Sequence, residues 1–519
     1  MTSGMAADQS IDRGILVLAS VVVLGAIMSI LDTTIVNVAL DTLGRDFRTS
    51  LSTIQWVTTG YLLALSIVIP LTGWAMCRFG AKPIWMSSVS LFLLGSILCG
   101  FAWRVDVLIA FRVLQGIGGG MIMPVGQAIL ARAAGPQRMG RVMSIVGVPM
   151  LLGPVLGPVI GGLLVEYTTW RWIFFVNVPI GALALVLAYR LLPRQEVDRD
   201  ERLDVRGLAV LSPGLALLVY GLSEAGSSGG FGSTRTVVGL TAGSVLVGLF
   251  VLHARRRGDA ALLDVGLFRR RAFTGAAATS FLFGVAIFGV MILLPLYYQV
   301  VRGEGALGAG LLMAPQGVGA AMAMPLAGRL TDRIGAGWVV PVGLTIAILG
   351  TAAYTQVGPH TSYALLAGSL WVRGVGLGST MMPAMAAAYA SLEHREIPRA
   401  TTSINIIQRV GGSVGTALLA VVLQREIVGA AGGRGGGLGT LGAVPPSVRA
   451  QLAPQIAHGF ARTFWLALAL TAVAYVPALL LPKHRRRGPD PNLAAVSGQA
   501  SGATEVAEEP PERLEAGRR

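Results

Sequence analysis

Charge is scarce in this chain. Of its 519 residues only 13% are Asp, Glu, Lys or Arg, while 53% are hydrophobic, and the mean hydropathy is +0.67. Soluble globular chains carry about 25% charged residues. The depletion runs the whole length, which excludes a water-soluble globule and places the chain in a bilayer. Cysteine is scarcer still: Cys77 and Cys99 alone exclude a disulfide framework. The five histidines (His253, His360, His394, His458 and His484) are scattered, mostly at the ends of apolar runs or in loops. No metal-ligand cluster is expected, and no His is left to carry protons inside a span. A G-x-x-x-x-G-K-[ST] phosphate loop is missing, which argues against an ATP-driven pump. No nucleophile–base arrangement is visible, so an enzyme is not expected. Residues 1–13 are polar, and the apolar run after them is too long for a cleavable signal peptide.

What the chain does hold is apolar runs of spanning length, which requires about 20 residues. Fourteen are found: 14–40, 53–76, 83–102, 106–131, 140–164, 171–192, 207–223, 235–254, 272–300, 307–330, 337–357, 362–390, 401–425 and 458–481. The runs are continuous rather than alternating, so they read as helices and not a barrel. An even count puts both termini on one side. With the N-terminus inside, 25 Lys and Arg fall in inner loops and flanks and 10 in outer ones, as cytoplasmic termini require. The net charge of +15 is thus loop charge that orients spans, not a nucleic-acid surface. The Gly-rich stretch 430–442 reads as an outer loop, and the end of the chain as a disordered tail.

PLTGWAMCRFGAKP (70–83) resembles PLAGRLTDRIGAGW (325–338) at an offset of 255 residues, and QGIGGG (115–120) resembles RGVGLG (373–378) at 258. The plan is a cytoplasmic N-terminus (1–13), a six-helix bundle (14–192), a linker (193–206), two inserted spans (207–254), a cytoplasmic loop (255–271), a second six-helix bundle (272–481) and a tail (482–519). Duplicated bundles suit a transporter, in which one half rocks against the other around a central site.

A charge near mid-bilayer costs about 2.5–3.5 kcal/mol on insertion scales, so each one needs a partner or a purpose. Asp32 lies in SILDTTIVNVAL and Arg112 in LIAFRVLQGIGGG. At 1.5 Å per residue they fall roughly 12 Å and 9 Å from the outer ends of their helices, close enough in depth to meet directly or through water. A carboxylate shifted one way by desolvation and the other by a cation meets the physical requirement for a proton carrier. It is the only mid-span carboxylate, so about one proton per cycle is expected. Gln115 and Gly116 share the helical face of Arg112. Arg373 and Arg409 stay unpaired from sequence. The other polar in-span residues (Asn37, Gln55, Gln127, Asn177, Gln299, Gln316, Asn405 and Gln408) either line a pathway or join helices. Trp56, Tyr61, Tyr297 and Tyr298 either stack on a cationic ring or serve as core.

In GVPMLLGPVLGPVIGG (147–162), Gly153, Gly157 and Gly161 recur every four residues, with Pro154 and Pro158 beside them. They predict a bent, closely packed helix at the seam between the halves.

Over almost the whole length, these stretches resemble the major facilitator superfamily drug:proton antiporters of the fourteen-span, EmrB/QacA-like type. SILDTTIVNVAL resembles the first-span signature, STIQWVTTGYLLA (52–64) the second, LIAFRVLQGIGGG the proton-coupling motif and GVPMLLGPVLGPVIGG the antiporter motif. TTWRWIFFVNVPIG (168–181), LFRRRAF (267–273), LLPLYYQVVRG (293–303) and INIIQRVGGSVGTAL (404–418) resemble further family segments. The resemblance implies an all-α major facilitator fold with two accessory spans. It also implies alternating access and export of hydrophobic or amphipathic drugs against an inward proton gradient, with no other cofactor. A monomer in the plasma membrane is expected. Asp32 and Arg112 would couple protons. Asn37, Gln55, Trp56, Tyr61, Gln115, Gly116, Tyr297 and Gln299 would line the substrate path. Gly147, Gly153, Pro154, Gly157, Pro158, Gly161 and Gly162 would form the antiporter motif, and Gly73, Arg78, Gly80, Lys82, Gly328, Asp332 and Arg333 the gating loops.

The chain departs from the family at Cys77, where the loop motif G-x-x-x-D-R-x-G expects Asp. It departs again at Asp41, where Pro is usual: either a second cation-attracting acid or an exposed helix end. A proton-coupled carrier of a metabolite or nutrient on the same fold is the alternative.

Overall fold

The computed structural model describes residues 12–194, 197, 199–228, 230–390, 392–430 and 446–483. The glycine-rich stretch beyond Ala430 and the tail from His484 lie outside them. Among the described residues there are helices and no strands, as expected where lipid offers the backbone no hydrogen bonds.

The order is α1 (Arg13–Asp46), α2 (Leu51–Ile54), α3 (Trp56–Val68), α4 (Leu71–Phe79), α5 (Ala81–Gly100), α6 (Val105–Tyr167), α7 (Trp172–Phe175), α8 (Asn177–Leu191), α9 (Val205–Ser228) and α10 (Thr234–Arg257). Then come α11 (Arg271–Leu296), α12 (Ala306–Ile334), α13 (Ala336–Ala352), α14 (Tyr363–Gly378), α15 (Met381–Tyr389), α16 (Ile397–Ala430), α17 (Pro446–Val473) and α18 (Tyr475–Ala478). Among the described residues eleven segments are long and apolar enough to span, or twelve if α3 and α4, bent by 53°, form one. Run 140–164 lies in the later part of α6, after a break at Gly135 (φ 62°, ψ 169°), and includes residues outside the described ones; run 362–390 is split between α14 and α15.

The duplication is visible in how glycines pack. A Cβ on Gly95 would lie 2.6 Å from Cα of Gln115, and one on Gly350 equally close to Cα of Arg373. Gly116 abuts the carbonyl of Tyr61, and Gly374 that of Gln316; Gly118 abuts Phe92, and Gly376 abuts Ala347. Each pair is related by the sequence offsets of 255 and 258. Gly80 and Gly335 end equivalent helices with nearly identical left-handed backbones (φ 87° and 88°), which side chains other than hydrogen disfavour.

The inserted pair, α9 and α10, lies across both halves. Ser212 of α9 donates to the Ile67 carbonyl of α3, and Trp56 stacks on Tyr220 with ring centroids 6.1 Å apart. On its other side α9 packs Leu222 and Ala225 against Ala417 and Val421 of α16. Its start is fixed by Asp204, which accepts from the Gly207 amide at 3.0 Å, from the Leu262 amide at 3.2 Å and from His253 Nε2 at 3.0 Å. Burial pushes this carboxyl up. The two amides and His253 outweigh it and leave the group below its usual range.

Three outcomes follow. Gly95→Leu should abolish monodisperse protein on fluorescence-detected size exclusion, because its neighbour is backbone and overpacking costs about 1–3 kcal/mol even where side chains can yield. Gly162→Ala, with nothing within 4 Å, should be silent. Asp204→Asn should lower the melting temperature at neutral pH. A depressed carboxyl stabilises the fold above its unfolded value and loses that contribution as pH falls through its folded value. The difference from wild type should therefore close below the ordinary value of 3.8.

Candidate functional site

Asp32 sits mid-way along the 34-residue α1 and is fully buried. Arg112 of α6 meets it directly: Nη1 donates to Oδ2 at 2.6 Å and to Gln115 Oε1 at 2.7 Å. Gln115 Nε2 donates to Oδ1 at 2.9 Å, and Asn177 Nδ2, from the first residue of α8, donates to the same oxygen at 3.2 Å. Arg112 Nε reaches the Val57 carbonyl at 3.3 Å, and its Cζ lies 4.0 Å from the centre of the Tyr61 ring. A buried ion pair is tolerable only when its remaining lone pairs and protons are also satisfied. Here three helices, α3, α6 and α8, supply those partners. Sequence reasoning placed Asp32, Arg112, Gln115 and Tyr61 in the site but left Asn177 among residues of open role. Its signal was position: a lone amide opening an otherwise apolar helix.

Other expected path residues are not brought to this cage. Asn37 is exposed and accepts from Thr58. Gln55 and Gln299 are exposed, and Trp56 faces the accessory helix. Tyr297 is buried in the second half with its hydroxyl on the Gly358 carbonyl, and Tyr298 bonds Tyr354. Both are core. Gln127 and Asn405 join the halves at 2.8 Å, and Gln316 accepts from Arg373. Asp41 is exposed and paired with Arg45, so it is a helix-end residue.

The glycine stripe corrects an expectation. Gly153, Gly157 and Gly161 do not lie at the seam between the halves; they pack on Ile30, Thr34 and Ile35 of α1, flanking Asp32. Gly147 meets the second half directly, against Met382 and Met324. Gly162 meets nothing nearby. Pro158 is half-buried, and the side chain of Pro154 lies outside the described residues. Beside this helix a groove of about 630 Å³ is lined by Ile27 and Leu31 of α1, Val148, Leu152 and Leu156 of α6, and Pro325 of α12. Arg141, Ser144 and Arg329 line it too.

The profile of the Major Facilitator Superfamily matches residues 22–416. The chain belongs to this superfamily. It is 42% identical over 92% of both chains to a multidrug resistance protein B homolog of Mycobacterium tuberculosis. It is 28% identical to the lincomycin resistance protein LmrB of Listeria monocytogenes, over 91% of this chain and 98% of that one. Among solved structures it resembles the proton:xylose symporter XylE (15% identity, TM-score 0.57, 89% and 94% covered). It also resembles the human organic anion transporter MFSD10 (16%, 0.57, 89% and 100%). These last two likenesses establish the fold alone. The superfamily makes the chain an integral membrane transporter and not an enzyme.

In this major facilitator chain the two equivalent loops hold the halves together through two unlike contacts, or latches. Gly328 of α12 abuts Gly140 and Ser144, while Gly73 of α4 abuts Pro398 and Thr402, so residue 140 corresponds to 398 and Arg141 to Arg399. In the first latch Asp332 accepts from the Gly140 amide at 2.8 Å and from Arg141 Nε at 2.9 Å. In the second, Cys77 stands where the acid would be and Pro398 where the amide would be. Acceptor and donor are missing together. Arg399 instead pairs with Glu201 of the linker, whose backbone carbonyl accepts from Trp74 of α4 at 3.3 Å. Lys82 caps the C-terminal end of α8 through the carbonyls of Tyr189 and Leu192. Arg78 is half-buried and Arg333 exposed.

Asp332→Asn and Glu201→Gln should each loosen this closed end, since a hydrogen bond to a charged group is worth about 1.5–3 kcal/mol. The check is thiol labelling of half-buried Cys77, expected to quicken roughly tenfold, a factor worth 1.4 kcal/mol, while buried Cys99 stays inert.

Proposed function

We propose that the protein is a proton-coupled antiporter that exports amphipathic, drug-like compounds across the plasma membrane by alternating access. The observation that carries this reading is the cage: a sealed carboxylate in the spanning region, held by Arg112, Gln115 and Asn177. Asp32 is the proton carrier and Arg112 its counter-ion. When the cavity opens, water reaches the pair, the balance between desolvation and attraction changes, and the carboxylate takes or gives a proton. The drug class is supported by the relatives' printed names and by the groove beside α1. That groove falls within the range of drug-sized pockets, about 300–1,000 Å³, and its walls are apolar where they run beside Asp32. The Lys and Arg bias supports a cytoplasmic side for the latches, and on this reading the conformation described is closed to the cytoplasm. The fourteen-span, EmrB/QacA-like assignment belongs to this proposal, with α9 and α10 as the accessory pair bracing α3 against α16, and the protein acting as a monomer.

A panel of toxic amphipathic compounds tests it in cells that express wild-type or Asp32→Asn protein, with and without a protonophore. Wild type should raise tolerance, and the protonophore should remove the gain. Asp32→Asn should give none while reaching the membrane in normal amount. Undiminished tolerance in the variant would sink the assignment of Asp32.

A further inference from the structure

In the arrangement described, the cage presents only donors to Asp32, which suits a carboxylate and not a carboxylic acid. Each partner of Asp32 is a donor: Arg112 Nη1 on Oδ2, and Gln115 Nε2 and Asn177 Nδ2 on Oδ1. Once protonated, Asp32 must itself donate, and an acid proton without an acceptor is costly in a dry site. Gln115 Oε1 is already occupied by Arg112 and by the Cys99 thiol. Asn177 Oδ1 is different: it is buried and, among the described residues, has no hydrogen-bond partner. A buried orphan acceptor calls for an explanation.

The orientation of that amide is fixed by its second partner. The Ser96 hydroxyl donates its one proton to the Phe174 carbonyl at 2.8 Å, so it must accept from Asn177 Nδ2, 3.1 Å away. The NH₂ group therefore faces both Ser96 and Asp32, and Oδ1 is turned away. Asp32 has Arg112 on α6, Tyr61 on α3 and Cys99 on α5 as its titratable surroundings. The described residues that α7 and α8 bring to the site, Phe174 and Asn177, do not titrate.

We propose that Asn177 is a positioning residue that reads the protonation of Asp32. Its NH₂ holds the carboxylate. When Asp32 takes a proton from the open side, forming one O–H bond, the amide turns over and Oδ1 accepts that hydrogen. Ser96 opposes the turn, because the turned amide would present an oxygen to a hydroxyl already committed as a donor elsewhere. Ser96 thus favours the deprotonated cage. This rests on Asp32 being the coupling acid.

The test is an infrared pH titration of the full chain in lipid nanodiscs, following the carboxylic C=O band assigned to Asp32 by its loss in Asp32→Asn. Ser96→Ala should move the midpoint of that band upward by about half a pH unit or more, since one unit corresponds to 1.36 kcal/mol between protonation states. In an Asn177→Leu background the same change should move nothing, because the amide transmits the effect. If Asn177→Leu is not monodisperse, Asn177→Ser serves: its hydroxyl turns freely, so the Ser96→Ala shift should again vanish. A Ser96→Ala midpoint equal to wild type overturns the proposal. So does a shift of equal size with and without Asn177, or an Asp32 band absent at every pH where the chain stays folded. The tolerance panel separates the two readings. Normal export by Asp32→Asn removes the antiporter assignment, whereas loss of export with an unmoved Ser96→Ala midpoint removes only the switch.

Discussion

One buried ion pair sets the terms for the first half of the molecule. A guanidinium and a carboxylate taken out of water repay the desolvation only if every remaining donor and lone pair finds a partner. Those partners must come from different helices, and the helices must therefore approach closely. The small residues stand where that approach occurs. Gly116 lets α6 touch the Tyr61 carbonyl, Gly95 lets α5 touch Gln115, and Gly157 lets the later part of α6 touch Thr34. Without those hydrogens in place of side chains, the cage donors would not reach Asp32. The glycines are thus a condition for the cage.

The duplicated half shows what the same packing does without the acid. Gly411 and Gly415 of α16 abut Phe281 and Val285 of α11, as Gly153 and Gly157 abut Ile30 and Thr34 of α1. That register places buried Phe283 where the first half has Asp32. Arg373, at the position of Gln115, is held by Gln316, and a small cavity lies between Phe283 and Arg373. The halves share a scaffold and divide its chemistry: the caged acid, Asp32, is in the first, and the acid that joins the halves, Asp332, is in the second.

Much of this was legible in the sequence because insertion into lipid penalises charge so strongly. Asp32 and Arg112 stood out against apolar runs, and helix rise alone put them at similar depth. The repeat was legible because close-packed glycines cannot be replaced without collision. Other features were not. Whether the two charges touch depends on side-chain reach across helices, which periodicity does not encode. The place of the 153–161 stripe depended on which helix it faced, and spacing gives a face without naming its neighbour. Trp56 and Tyr297 read equally well as ligands or as core, since an aromatic ring is buried for either reason. The partner of Arg399 was hidden because Glu201 lies in the linker, outside both repeats. Run 362–390 read as one span because the break between α14 and α15 barely alters hydropathy.

The cage and the surviving acid latch meet on a single helix. After Gly135, α6 carries Gly140 and Arg141, which hold Asp332, and then Gly153, Gly157 and Gly161, which bed α1 on either side of Asp32. Arg141 and Gly153 are twelve residues apart, roughly 18 Å at 1.5 Å per residue, about half the thickness of a bilayer. A packed helix of that length does not stretch, and its glycine face leaves no slack against α1. Any rearrangement that moves α1 relative to α6 when Asp32 changes its proton must therefore be absorbed at the latch, at the Gly135 break, or at both. The latch has two arrangements available, bonded and released, whereas close-packed cores respond in discrete steps rather than by gradual deformation. On the proposed reading, proton and gate are linked through this one rigid segment, bonded at one end to Asp332 of the second half and packed at the other on the α1 residues beside Asp32.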